Sequence, residues 1–213
     1  EPTVATSYHR VLQAQLNGSA IPLEHVRMAD YVVPYVNTLQ RNSEAEVLSP
    51  YLTSGTLEHA VQINGIEYAR VYRGPHYPTG ADLNLEIGGR ATLVRYVAAP
   101  GTGPMRPTEE ATVLLRWDRP AGRQERAVVA IVGADGRALV QDERGLGEDG
   151  PDANGQPGDL HRLPLPKTVT PGTYQLVVRV LDGRGGQALP VTGGAQAGAE
   201  QVILRDIVVE RAP

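Results

Sequence analysis

Apolar and polar residues alternate with a period of two along most of this chain, and that period predicts strands. The sharpest instance is His59-Ala60-Val61-Gln62-Ile63, then Asn64-Gly65, then Ile66-Glu67-Tyr68-Ala69-Arg70. Asn-Gly suits a two-residue type I′ turn because both residues tolerate positive φ. The turn sets a register with Ile63 opposite Ile66, Gln62 opposite Glu67 and Val61 opposite Tyr68, which gives the hairpin one apolar and one polar face.

Ahead of this hairpin the pattern is mixed. Pro2 to Thr6 and Ala29 to Val33 read as strands. Ser7 is a candidate helix cap for Tyr8, Leu12 and Leu16, with Asn17-Gly18 as the stop, and Ser43 to Glu46 is a capping-box pattern. The stretch Arg73 to Gly80 is rich in Pro and Gly and marks a boundary.

After the boundary only strand signals remain. Leu83, Leu85 and Ile87 alternate with polar residues, and Gly88-Gly89 marks a bend before Ala91 to Val97. Val113, Leu115 and Trp117 share a face; Ala127 to Val132 is apolar on both faces, as in a central strand. Asp135-Gly136 turns into Ala138 to Gln141, and Asp142 to Asp159 reads as a polar loop. Pro171-Gly172 leads into Tyr174, Leu176, Val178 and Val180, and Val202 to Glu210 is the last strand. The expectation is α+β overall: a small α/β domain over residues 1–75, then an antiparallel β-sandwich over 81–213, Ig-like or jelly-roll-like.

Composition narrows the functions. Hydrophobic residues make up 41% of the 213, enough for a packed core. The net charge of -4 argues against nucleic acid as a partner. The absence of cysteine removes disulfides, thiolate chemistry and Cys-based zinc sites. No apolar run approaches the roughly 18–20 residues that span a bilayer. The chain opens on Glu1 rather than Met, so it reads as an excised piece or a processed product.

Three stretches carry a family resemblance. They are Ala29-Asp30-Tyr31-Val32-Val33-Pro34-Tyr35-Val36-Asn37, the segment from Val61 to Tyr72, and Leu163-Pro164-Leu165-Pro166 followed by Pro171-Gly172-Thr173-Tyr174-Gln175-Leu176-Val177-Val178 up to Asp182. Together with Leu114-Leu115-Arg116-Trp117 they resemble the C-terminal, extracytoplasmic tail of bacterial multi-spanning glycosyltransferases. These are the enzymes similar to dolichyl-phosphate-mannose protein mannosyltransferases (glycosyltransferase family 39-like). The resemblance implies a parent that takes sugar from a polyprenyl-phosphate carrier on the extracytoplasmic face of the bacterial cytoplasmic membrane. It also implies the membrane-embedded portion of the same protein as partner, and a glycan or lipid-linked sugar as ligand. The family's catalytic acidic residue lies in a loop between early membrane helices and has no match here.

Candidate chemistry within the chain is sparse. The acidic loop from Glu148 to Asp159 offers Asp149, Asp152, Asn154 and Asp159 as oxygen ligands for calcium, without the D-x-D-x-D-G order of an EF-hand. His9, His25, His59, His76 and His161 form no metal-binding motif, no G-x-S-x-G elbow is present, and no cofactor is implied. Sugar binding needs exposed aromatic faces. Trp117 points into the core by its alternation, which leaves Tyr68, Tyr72, Tyr77 and Tyr96 as the candidate binding residues at the seam between the two domains. Two functions follow: a non-catalytic accessory module of a membrane-bound, polyprenyl-phosphate-sugar-dependent glycosyltransferase, or a stand-alone cell-surface sandwich that binds carbohydrate or protein.

Overall fold

The structure is a computed structural model and describes residues 3–5, 19–21, 29–35, 48, 56–118, 124–152 and 155–211. The chain divides into two units, Glu1–Pro78 with Pro100–Gly103, and Thr79–Ala99 with Pro104–Pro213.

The first unit carries one five-stranded sheet. Its strands are β1 (Thr3–Ala5), β2 (Ser19–Ile21), β3 (Tyr31–Val32), β4 (Leu57–Ile63) and β5 (Ile66–Arg73), in the order β2-β1-β3-β5-β4. β1 runs parallel to β2 and to β3, while β3, β5 and β4 pair antiparallel. The α+β expectation is corrected here. Among the described residues helix is confined to Leu48, and strands make up nearly all regular structure in both units, so an α/β first domain is not what the described residues form. The two helical signals, at Ser7 to Leu16 and Ser43 to Glu46, lie outside the described residues. What organises the first unit is instead the long hairpin and the short strands beside it.

That hairpin forms where expected. Asn64 (φ 52°) and Gly65 (φ 77°) both take positive φ, the requirement of a type I′ turn. Ile63 pairs with Ile66 and Gln62 with Glu67, but Val61 pairs with Ala69 rather than Tyr68. A bulge makes the difference: β5 has one more residue than β4 between these pairs, and Tyr68 is the residue left over.

The second unit is an eight-stranded antiparallel β-sandwich. One sheet orders β11-β8-β7-β6, from β6 (Thr79–Ile87), β7 (Ala91–Ala99), β8 (Glu110–Asp118) and β11 (Gly158–Pro164). The other orders β10-β9-β12-β13, from β9 (Arg126–Val132), β10 (Ala138–Gly145), β12 (Gly172–Leu181) and β13 (Val202–Val209). β9 lies in the interior of its sheet, as its apolar character on both faces requires. The inner faces meet in one core: Leu93, Val113, Leu115 and Trp117 from the first sheet, and Val129, Ile131, Leu176 and Val178 from the second, all fully buried. With no Phe in the chain, Val, Leu and Ile supply most of the apolar area that drives the sheets together.

Two strand limits differ from the alternation pattern. β10 continues to Gly145 through Asp142, Glu143 and Arg144, because an edge strand tolerates charge. β11 lies in a stretch where His161, Arg162 and the prolines around Leu165 obscure the period. The Gly88-Gly89 bend is a tight turn between β6 and β7 with both glycines at positive φ. No helix among the described residues is long and apolar enough to cross a membrane.

Candidate functional site

The four candidate tyrosines fall on both units: Tyr68, Tyr72 and Tyr77 on the first, Tyr96 on the second. Tyr68 is half-exposed and meets the Tyr35 ring edge-on at 5.3 Å. Tyr72 is 8% exposed, with its hydroxyl 3.4 Å from Arg70 Nη1. Tyr77 stacks edge-on against Tyr31 at 5.2 Å and carries the Arg73 guanidinium over its face at 4.9 Å. Burial pushes the Tyr31 phenol up, helped by its hydrogen bond with Tyr77.

Tyr96 has a different setting. It is 7% exposed, sits in the sandwich core, and donates its hydroxyl to the Leu204 carbonyl at 3.0 Å. That bond spans the two sheets, from β7 to the point where β13 bulges. Beside it, burial pulls the Arg205 guanidinium below its ordinary value, and the nearby Tyr96 opposes that shift. Of the four rings, Tyr68 is the one with a broad face open to solvent.

The acidic loop is organised by its own backbone. Asp149 Oδ2 accepts from Leu160 N at 2.6 Å, and Asp152 Oδ1 accepts from Gln156 N at 3.0 Å. Asp159 turns inward, fully buried, where Oδ2 accepts from Trp117 Nε1 at 2.8 Å and Oδ1 accepts from Gly147 N. Asn154 lies outside the described residues. Among the described residues no cluster of three or more His, Cys, Asp or Glu is arranged to hold a metal ion.

The surprise is His161. Along β11, Asp159, His161 and Leu163 face inward, so an acid and an imidazole enter the core at the edge of the sandwich. His161 is fully buried, with Nδ1 3.2 Å from Asp142 Oδ2 and Nε2 3.6 Å from Asp159 Oδ2. Neither nitrogen meets hydrogen-bond geometry, so these are close electrostatic approaches and not directional bonds. Asp142 also takes a bond from Arg144 Nε at 3.0 Å, which raises the Arg144 guanidinium. The sequence signal was present as the alternation in Asp159-x-His161-x-Leu163, but only knowledge that this stretch is a strand makes it readable. The remaining histidines do not join it: His59 is exposed on β4, His76 Nδ1 lies 3.2 Å from Asp30, and His9 and His25 lie outside the described residues.

Among the described residues the buried polar groups serve as internal struts, and the surface offers an apolar hairpin tip and the open ring of Tyr68. No protein-family model matches the chain, and no curated protein matches it.

Proposed function

We propose that this chain is a non-catalytic extracytoplasmic accessory module of a membrane-bound, polyprenyl-phosphate-sugar-dependent glycosyltransferase. The observation that carries the reading is the corner at Tyr174. Its hydroxyl donates to the Thr170 carbonyl at 2.8 Å and lies 3.0 Å from Thr170 Oγ1, closing the turn into β12. The segment from Leu163 to Asp182 is the one whose spacing resembles the glycosyltransferase tails, and it builds this corner.

The same corner supports an immunoglobulin-like sandwich over a jelly roll. Immunoglobulin-type sandwiches carry a tyrosine near the start of a late strand whose hydroxyl returns to the backbone a few residues upstream. Strand placement agrees: β7, β8 and β11 take the A, B and E places, and β10, β9, β12 and β13 take C′, C, F and G, with β6 added at an edge. Such sandwiches act by contact through loops and faces. The membrane-embedded portion of the same protein is the partner in this reading, and a glycan or lipid-linked sugar the ligand. In this reading Tyr68, whose ring is open to solvent, is the residue that stacks on it.

The test is a titration of the purified chain with polyprenyl-phosphate sugars and a glycan array, read for both binding and turnover. Binding without turnover, weakened by Tyr68→Ala, is the expected result. Turnover of any sugar donor by the chain alone would overturn the non-catalytic reading. Discrimination from a stand-alone cell-surface sandwich comes from what the gene encodes ahead of Glu1: several apolar segments of about 20 residues favour the accessory module.

A further inference from the structure

Six large apolar side chains are exposed among the described residues, and four of them, Leu57, Ile63, Ile66 and Tyr68, lie on the β4–β5 hairpin. The ladder from β3 reaches Tyr72 and Arg73 of β5, and a single bridge from Tyr35 reaches Ala69. Beyond that point residues 61–63 and 66–68 pair, among the described residues, only with each other. The tip is therefore a two-stranded ribbon, which is marginal in water on its own. It nonetheless presents Ile63 at 52% and Ile66 at 73% exposure.

We propose that this hairpin tip inserts into the interfacial layer of a lipid bilayer. The side chains are ordered by depth. An aliphatic pair, Ile63 and Ile66, flanks the turn. Tyr68 follows two residues up, about 7 Å away at strand rise. Arg70 and Arg73 come next, with Arg70 about 13 Å from Ile66. Aliphatic tip, aromatic ring and then guanidinium is the order in which a bilayer changes from acyl chains through headgroups to water. An interfacial element buries its apolar face by roughly 5–10 Å, which takes in the isoleucines and reaches the tyrosine.

A protein partner fits this tip less well. A two-residue turn is convex and offers no groove. Leu57 lies at the other end of the hairpin, opposite Tyr72, so the tip presents Ile63, Ile66 and Tyr68, on the order of 300 Å², less than half of what one partner gives to a stable protein interface. A fluid apolar phase demands no shape complementarity. The charges indicate which lipid surface is meant. Arg70 pairs with Glu67 at 2.7 Å and Arg73 with Glu58 at 2.5 Å, so the hairpin has no surplus cation for anionic lipid. Insertion is then apolar and indifferent to salt. The inference goes beyond the accessory-module reading and stands whether or not the chain serves a glycosyltransferase, since its test contains no sugar.

The chain has no cysteine, so Ile66→Cys gives a unique attachment point for an environment-sensitive dye. With phosphatidylcholine vesicles the emission is expected to shift to the blue, and the shift to persist at about 0.5 M salt, where surface charge is screened. In co-sedimentation, the unlabelled chain binds the same vesicles, and Ile63→Ser with Ile66→Ser lowers its partition roughly tenfold or more. Both side chains are solvent-exposed, so an unchanged melting temperature verifies the fold of the double variant. The proposal is overturned by no binding of the unaltered chain, by binding that salt abolishes, or by a dimer in solution that the double variant disrupts.

Discussion

Trp117 donates its indole N–H to Asp159 at 2.8 Å, and both side chains are fully buried. The bond joins the adjacent strands β8 and β11, and the second carboxylate oxygen accepts from Gly147 in the loop between β10 and β11. Apolar packing and polar pairing thus meet in one side chain, and two substitutions separate them. Trp117→Ala removes both and should cost about 3–5 kcal/mol. Trp117→Phe keeps most of the ring but leaves a buried carboxylate oxygen without its donor, at a cost of about 1–3 kcal/mol. Urea unfolding measures both. A Phe variant as stable as the parent would show that the hydrogen bond contributes nothing.

The corner at Tyr174 invites a finer comparison. Its hydroxyl reaches both the carbonyl and the hydroxyl of Thr170. Tyr174→Phe removes the two contacts together and should cost about 1 kcal/mol, the net worth of one hydrogen bond. Thr170→Ala leaves the carbonyl acceptor in place, so its cost should stay below about 0.5 kcal/mol. Equal losses in the two variants would mean that the backbone bond is not the one that matters.

Most of the sandwich was legible because its strands obey simple periods. Val113, Leu115 and Trp117 alternate cleanly, and the run from Ala127 to Val132 announces an interior strand. β11 was not legible: Asp159 and His161 occupy inward positions where apolar residues are the rule, so the alternation inverts at the residues that matter most. The hairpin turn was readable from Asn64-Gly65, whereas the bulge at Tyr68 has no local signature. The bulge leaves Tyr68 without a cross-strand partner in the β4–β5 ladder, and the openness of its ring, like that of Ile63 and Ile66 at the turn, is seen only in the folded structure. Sequence proximity puts Tyr96 at a domain seam, while its hydroxyl is fixed by Leu204, 108 residues away. Such long-range partners leave no trace in spacing.

Asp182 gives a pH-dependent prediction. Its Oδ1 accepts from Gly185 N at 2.8 Å and from Gln187 N at 3.3 Å in the loop that follows β12. The Gly185 bond holds the carboxyl below its ordinary value of about 3.9; burial opposes it, and the Gln187 and Gly186 bonds add to the lowering. Between the two values the unfolded chain binds more protons than the folded one, so stability rises with pH there. The contribution is complete above the ordinary value and is lost as pH falls through the folded value. Asp182→Asn should therefore narrow its deficit in melting temperature on going from about pH 5 to pH 2. A deficit that stays constant over that range would remove Asp182 from the acid response.

Among the described residues of the sandwich unit, Thr108 is the most strained non-glycine by residue type, with φ at 74° on a β-branched side chain. Arg106-Pro107-Thr108-Glu109 is a turn closed by the Glu109 N–H on the Arg106 carbonyl at 3.1 Å, and a positive φ at its third residue is the mark of type II. The surroundings hold it there. Thr108 N donates to Leu165 O at 3.1 Å, Leu165 N donates to Glu109 O at 2.8 Å, and Arg106 N donates to Glu109 Oε2 at 2.7 Å. A side chain forced into this region costs about 1–3 kcal/mol. Thr108→Gly relieves that strain and adds roughly 0.5–1 kcal/mol of unfolded-state entropy against it. The net expectation is a gain of up to about 2 kcal/mol, read as a rise of a few degrees in melting temperature. Thr108→Val keeps the branching and the strain, and should bring no gain. A Gly variant that melts below the parent would show that the threonine side chain holds the turn together rather than straining it.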